Sequence, residues 1–415
     1  MSTTTVNFPT GKSSSLPIAV DNTPLARATA DALAAKLHAE FKAGILTSYT
    51  VNPDDVVNPP TGNGLMIVNT ADGLAIPVGT TEVLVENNIS AELIASPGAG
   101  NVDVVSGTGG LTYFANDATG TVLAAGGNNV IQTLETGGGN QTIITGAGDD
   151  VIDAFSGNNF IAAGTGTNNV TLGTGNNNVV STGVDSFRID SSATVGGNDT
   201  ISAATNSNAD TIIGGLNNVT FINGSGASQL FGGSGSDTVF SGTGGGSYQG
   251  GSAGDNVLIA GSGQTTLMGG GNGDVLSLTL GHKADLLQAG AGNETLIGGL
   301  STGANTFQAG SGSDFILGGL GNDTIQGGTG AAMEYGSFGN NTFLFVDGQA
   351  GGSDTIGDFS LSSSNKIALQ GYGADAVANA LASATVSHGS TTLTLSDNTS
   401  ITLTGVTHLH ASNFT

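Results

Sequence analysis

Residues 145–180 read TGAGDDVID, AFSGNNFIA, AGTGTNNVT and LGTGNNNVV, four nine-residue units laid end to end without remainder. Gly148, Gly157, Gly166 and Gly175 hold the fourth place of each unit, Asp150, Asn159, Asn168 and Asn177 the sixth, and Ile152, Ile161, Val170 and Val179 the eighth. Glycine at a fixed place supplies a turn with positive φ that other residues resist. The second half of each unit is a short β stretch that buries one apolar side chain and turns its neighbours outward. One such unit has no core of its own, but copies stacked on each other do. The expected fold is therefore all-β, a parallel β-roll (β-solenoid) of nine-residue repeats.

The phase extends in both directions from this stretch. It is continuous from Pro97 to Gln132, is interrupted by three residues at Thr133–Glu135, and resumes at TGGGNQTII from position 136. Over STGVDSFRIDSSA (181–193) it is lost, which predicts a bulging loop, and it returns at TVGGNDTIS (194–202) and runs on to GSDTIG (352–357). Residues 97–357 form the expected solenoid. Residues 61–96, with LMIVN, LAIPV and EVLVEN, are expected to cap its start. Residues 358–415 are expected to form a C-terminal cap with a short helix over 374–382 and a hairpin in TTLTLSDNTSITLTGV around Asp397 and Asn398.

Residues 1–60 read as a helical arm and linker. PLARATADALAAKLHAEFKA (24–43) has Thr23 as N-cap, Pro24 at the first helical position and Gly44 just past the end. Leu33, Leu37 and Phe41 form one apolar stripe. Such a helix either packs over the first turn of the solenoid or serves as a docking arm. VNPDDVVNPP (51–60) reads as the linker.

Composition narrows the function. Of 415 residues 71 are Gly, and 32 Asp plus Glu against 7 Lys plus Arg give a net charge of -25. Glycine without a G-X-Y period excludes collagen, and regular aliphatic positions argue against disorder. The scarcity of basic residues argues against nucleic-acid binding, and metal cations are the natural partners. With no Cys, disulfides and thiolate metal sites are excluded. No secretory h-region is read at the N-terminus, and no apolar run is long enough to span a membrane.

GGSGSDTVF (232–240) and GGLGNDTIQ (318–326) match GGxGxDxUx without a mismatch. This resembles the calcium-binding nonapeptide of the RTX (repeats-in-toxin) family. Ca²⁺ takes several hard oxygens, which backbone carbonyls of the turn and the Asp at place six can offer. The resemblance implies several Ca²⁺ ions held by Gly232, Gly233, Gly235 and Asp237, by Asp255, Asp274 and Asp314, by Gly318, Gly319, Gly321 and Asp323, and by Asp354. A site needs two turns one coil apart, and Asp237 with Asp255 has the required spacing of eighteen. Place six is also acidic at Asp150, Asp199, Asp210, Asp285 and Glu294. Between 124 and 180 only Asp150 is charged at place six, so these coils are poor cation sites. Their Asn can tolerate left-handed φ and hydrogen-bond along the stack.

SDTIGDF (353–359), NKIAL (365–369), TLTLSDNTSITLTGV (392–406) and the final HLHASNFT resemble the terminal domain of RTX proteins secreted by type I systems, chiefly alphaproteobacterial ones. That resemblance implies an uncleaved export signal and a type I exporter as partner. Enzyme signatures are thin. GGSAG (250–254) formally matches GxSxG but lies in phase within a repeat, and the five histidines include no HExxH, so no catalytic residues are expected. The favoured reading is a secreted calcium-binding structural protein, similar in composition to surface-layer members of the family. It would self-assemble as a homopolymer into a surface layer, filament or biofilm matrix. The alternatives are an adhesin or other binding module, with cell-surface polysaccharide as a further partner, and a polysaccharide-modifying enzyme.

Overall fold

A computed structural model describes residues 3–55, 57, 62–135, 137–189 and 197–415. The chain divides into two compact units, Met1–Asn217 and Asn218–Thr415. Parts of several expected features fall outside the described residues: the arm at 1–2, the linker at 56 and 58–60, the cap at 61, the loop at 190–193 and the repeats at 136 and 194–196.

In each unit the strands alternate between two parallel sheets facing each other across one line of inward side chains, called here front and back. The front sheet of the first unit begins with Leu46–Val51, Asn63–Val68, Thr80–Val85 and Asp103–Ser106 and continues through Gly120–Gly126, Gln141–Ala147 and Phe160–Ala163. Its inward column, Met66, Val83, Val104, Val122, Ile143 and Ile161, is completely buried. The nine-residue rule has this physical cause: place eight meets the same place on the next coil, so only apolar residues fill it well.

The glycine at place four follows from the same stacking. Gly148, Gly157, Gly166 and Gly175 have φ of 149, 90, 134 and 116°. A Cβ on Gly166 would stand 2.0 Å from the Gly148 carbonyl oxygen, and one on Gly175 2.2 Å from that of Gly157. Adjacent turns therefore approach too closely for a side chain.

The N-terminal region is more than an arm and linker. Thr3–Pro9 and Ser15–Asp21 form an antiparallel hairpin, and Leu46–Val51, inside the expected arm-and-linker segment, is a front-sheet strand paired in register with Asn63–Val68. The helix Pro24–Ala43 starts and stops as expected: the Thr23 side chain accepts from Ala26 N, and Gly44 is left-handed at φ 74°. Its stripe Leu33, Leu37 and Phe41 joins Phe8, Ile18 and Val20 of the hairpin against the outer face of the front sheet. There it covers Ile67, Leu84, Val105, Leu123 and Ile144, each one coil from the last. The helix packs against the first front-sheet strand, Leu46–Val51, and with the hairpin extends along the side of the stack over several further coils. Lys36 Nζ donates to Glu82 and, at 2.6 Å, to Asp103 Oδ2, both on buried outer-face residues.

The expected loop at 181–193 contains a strand, Val184–Ile189, paired with Thr167–Leu172 and burying Phe187. The expected C-terminal helix and hairpin are both present. Ala376–Ala382 is a helix, and Ser390–Thr394 and Ser400–Leu403 form a hairpin whose turn holds Asn398 at φ 68°. The hairpin continues the second unit's front sheet by pairing with Ser353–Ile356.

Candidate metal centre

The place-six side chains build a ladder inside the turns. In many coils an Asn or Asp oxygen at place six accepts from the backbone N–H at place six of the preceding coil. The Asn177 oxygen takes the Asn159 N–H at 3.1 Å, Asp237 the Val219 N–H at 3.0 Å and Asp323 the Asn305 N–H at 2.9 Å. A second, exposed ladder runs at place five in the opposite sense, for example from Asn176 N to Asn158 Oδ1 and from Asn340 N to Asn322 Oδ1, each 2.8 Å.

Asn and Asp differ in what remains after that bond. An Asn has an amide left to donate. Asn159 Nδ2 gives it to the carbonyls of Ser156 and Gly157, and Asn168 Nδ2 to Gly164 O. The amide closes the turn from within, so an Asn coil is complete without a metal. Hydrogen bonding along the stack is as expected for these residues. Left-handed φ is not, because none of these Asn has positive φ. An Asp instead has a second acceptor left. Among the described residues Asp150, Asp185, Asp237, Asp285 and Asp354 each bury an Oδ2 with no hydrogen-bond partner, and Glu294 buries both carboxylate oxygens that way. Burying an acceptor without a donor is costly, and a cation is what such an oxygen lacks.

The expected ligands fall into two columns of turns in the second unit. Gly232, Gly233, Gly235 and Asp237, with Asp274, Asp314 and Asp354, lie in turns entering front-sheet strands, the column that also contains Glu294. Gly318, Gly319, Gly321 and Asp323 lie in the other column, with Asp285, Asn305 and Asn341. Asp274, Asp314 and Asp323 also receive the backbone N–H of the glycine four residues earlier, from Gly270, Gly310 and Gly319 at 2.6, 3.2 and 2.8 Å.

Asp255 does not stand opposite Asp237. Asn256 does: Asp237 N donates to Asn256 Oδ1 at 2.7 Å, and Asn256 N to Asp274 Oδ1 at 2.9 Å. The turn GGSAGDN is one residue longer than its neighbours, so Asp255 moves to an exposed position with φ 53°. Burial of Leu258 fixes the phase, which the run VLI leaves ambiguous in the sequence.

Burial sets the electrostatics. It pushes Asp237 up to about 6, against the hydrogen bond from Val219, and Asp185 likewise to about 6. Glu294 is raised by burial and by Asp314 beside it. Glu334 was not foreseen. It occupies place eight of GGTGAAMEY (327–335), where other coils carry an apolar residue, is 0% exposed, and has no partner for either carboxylate oxygen. Burial, then Asp354, raises its pKa well above the ordinary range. The repeat phase was the available signal for it.

The turns fit a hard cation. A Cβ on Gly232 would come within 2.6 Å of Asp237 Oδ2, and one on Gly327 within 2.9 Å of both Asp354 oxygens, so glycine keeps the space beside these carboxylates open. Among the described residues no three His, Asp or Glu side chains gather at one point. Turn carbonyls would therefore supply most oxygens, with Asp237, Glu294 or Asp354 supplying charge. When bound, Ca²⁺ neutralises the buried carboxylates and ties adjacent turns together.

Comparison with known proteins agrees. The family described as RTX calcium-binding nonapeptide repeat (4 copies) matches residues 135–170, 224–247, 251–282, 283–300 and 301–332. No curated protein matches significantly. Among solved structures, the extracellular lipase LipA from Serratia marcescens is matched at 19% identity and a TM-score of 0.22, over 72% of this chain. This chain spans 42% of that lipase. No helix among the described residues is long and apolar enough to cross a membrane. With their nonapeptide phase, glycine-spaced turns and buried place-six carboxylates, the matched segments between residues 135 and 332 are RTX calcium-binding nonapeptide repeats.

Proposed function

We propose that this chain is a secreted, non-enzymatic structural protein that folds on Ca²⁺ and then assembles with its own copies outside the cell, as a surface layer, filament or matrix. The observation that carries it is the set of partnerless buried carboxylate oxygens at Asp237, Asp285, Glu294 and Asp354. Without cations these coils hold uncompensated charge, and at -25 the chains repel each other. At millimolar Ca²⁺ outside the cell, even sites of about 10⁻⁴ M affinity fill. Residues 358–415 are the proposed type I export address. Ser252 of GGSAG supports a non-catalytic reading, because its turn leads into the strand Val257–Ala260 and not into a helix.

Light scattering and electron microscopy over a calcium titration test this. The expected outcome is ordered polymer at millimolar Ca²⁺. A monomer at full folding, read by circular dichroism, would exclude self-assembly. A second reading, binding of cell-surface polysaccharide, is favoured by a polar groove of ≈ 360 Å³ lined by Gln288, Gln308, Gln326 and Gln349. Retention of the monomer on a polysaccharide column would put that reading first.

A further inference from the structure

The outer face of the second unit's front sheet is more continuously apolar than that of its back sheet. Ile222, Phe240, Ile259, Ile297, Leu317 and Tyr335 stand in one in-register column, interrupted only by Ser277. Beside it run Val257, Val275, Phe315 and Met333. Phe240 is 42% and Met333 46% exposed. On the back sheet the matching column reads Phe231, Gln249, Met268, Gln288, Gln308, Gln326 and Leu344, flanked by Thr266, Leu286, Thr306 and Thr324, so glutamine and threonine break up its apolar residues. A protein that stays apart from its copies rarely displays such a continuous apolar stripe.

The first unit shows how this chain treats an apolar front face: its own hairpin and helix cover the column Ile67, Leu84, Val105, Leu123 and Ile144. That arm is committed there, and Lys36 is held by Glu82 and Asp103. No outer-face position of the second unit's front sheet is acidic, so an arm from another copy would find no partner there for its lysine.

Resting on the self-assembly reading, we propose that the second unit's front face is the pairing contact of the assembly, packing against the same face of a second copy of this chain to give the dimer from which a polymer grows through other surfaces. Two flat sheets of aliphatic and aromatic side chains pack about 10 Å apart. A pair that presents the same patch on both sides closes on itself by a two-fold axis. The eight strands from Asn218–Ile222 to Ser353–Ile356 give the patch a length of about 34 Å at ~4.8 Å per layer. The turns leading into these strands hold the buried carboxylates of Asp237, Asp274, Glu294 and Asp314, whose charge opposes the approach of a second copy until cations neutralise it. The contact thereby acquires its calcium dependence.

The test uses the full chain with Phe240→Thr, Ile259→Thr, Ile297→Thr and Leu317→Thr combined. Circular dichroism and calorimetric Ca²⁺ titration should match the wild type, while the protein concentration for half-assembly rises by about tenfold or more. Gln288→Ser with Gln308→Ser on the back face should leave it unchanged. Because the chain has no Cys, pyrene on Ser277→Cys reports the contact without disturbing the stripe. Excimer emission should appear with calcium from Ser277→Cys and not from Thr306→Cys. If the wild type assembles and the fourfold variant assembles equally, or the excimer comes from Thr306→Cys alone, the choice of face is overturned and self-assembly stands. A wild type that folds with calcium and stays monomeric overturns both.

Discussion

The Asn-rich coils of the first unit and the Asp-rich coils of the second solve the same stacking problem with different chemistry at place six. In the first, Asn159, Asn168 and Asn177 return their amide to a carbonyl or a neighbouring side chain and finish the turn with protein atoms. In the second, Asp237, Asp285, Glu294 and Asp354 leave a buried oxygen open. An amide and a carboxylate have nearly the same shape, so both fit one backbone. Only the carboxylate makes the coil depend on something outside the chain. The lateral arm adds to the contrast by burying the first unit's front face.

Chelation should separate the units most strongly. In EDTA, amide exchange in residues 218–357 is expected to speed up by at least about a hundredfold, while 141–181 stays protected. Simultaneous loss in both regions would erase the distinction. Next in size is Lys36→Met, which strands Glu82 and Asp103 under the helix. Burial already pushes Glu82 up to about 8 despite Lys36. The lysine is partly exposed, so a cost of about 2–4 kcal/mol, read from the first unit's urea midpoint, is expected. Glu82→Gln with Asp103→Asn should recover part of it. If Lys36→Met leaves that midpoint unchanged, the ion pair does not hold the arm.

Glu334→Leu should act in the opposite direction. Replacing a partnerless buried carboxylate by an apolar side chain at place eight is expected to stabilise the second unit by about 1–3 kcal/mol in EDTA. A fall in midpoint would show that Glu334 serves the fold through a cation or proton. The smallest effect concerns pH. Burial lifts Asp185 and Asp237 to about 6, above the ordinary ~4. A raised carboxyl favours the protonated fold, so its contribution is complete below pH ~4 and is lost as pH rises through 6. In EDTA the protein should therefore gain stability from pH 7 to 4.5. With calcium the slope should reverse, since protons then compete with the metal. Equal slopes in both conditions would remove the carboxylates from the account.

Much of this was legible because it is local and periodic. Gly148 to Gly175 and Ile152 to Val179 declare turn and core by spacing alone, and Thr23 and Gly44 mark the helix ends through contacts within one turn. The misreadings lie where phase or distance intervenes. Asp255 and Asn256 are adjacent and chemically close, and only burial of Leu258 decides between them. Glu334 hid because place eight was expected to be apolar. The path of the arm depends on Lys36 meeting residues 46 and 67 positions away, which no local pattern encodes.

The two ladders also give the stack a grain. At place six a buried N–H is completed by the coil that follows it in the chain, as Asp323 N is by Asn341 and Asn341 N by Asn365. At place five the debt runs to the coil before and is held at the surface, where water can settle it. Trimming coils from the start of the chain exposes donors that solvent satisfies. Trimming from the end leaves a buried donor unanswered at every cut. Within each unit the stack is thus easier to shorten from one side than from the other.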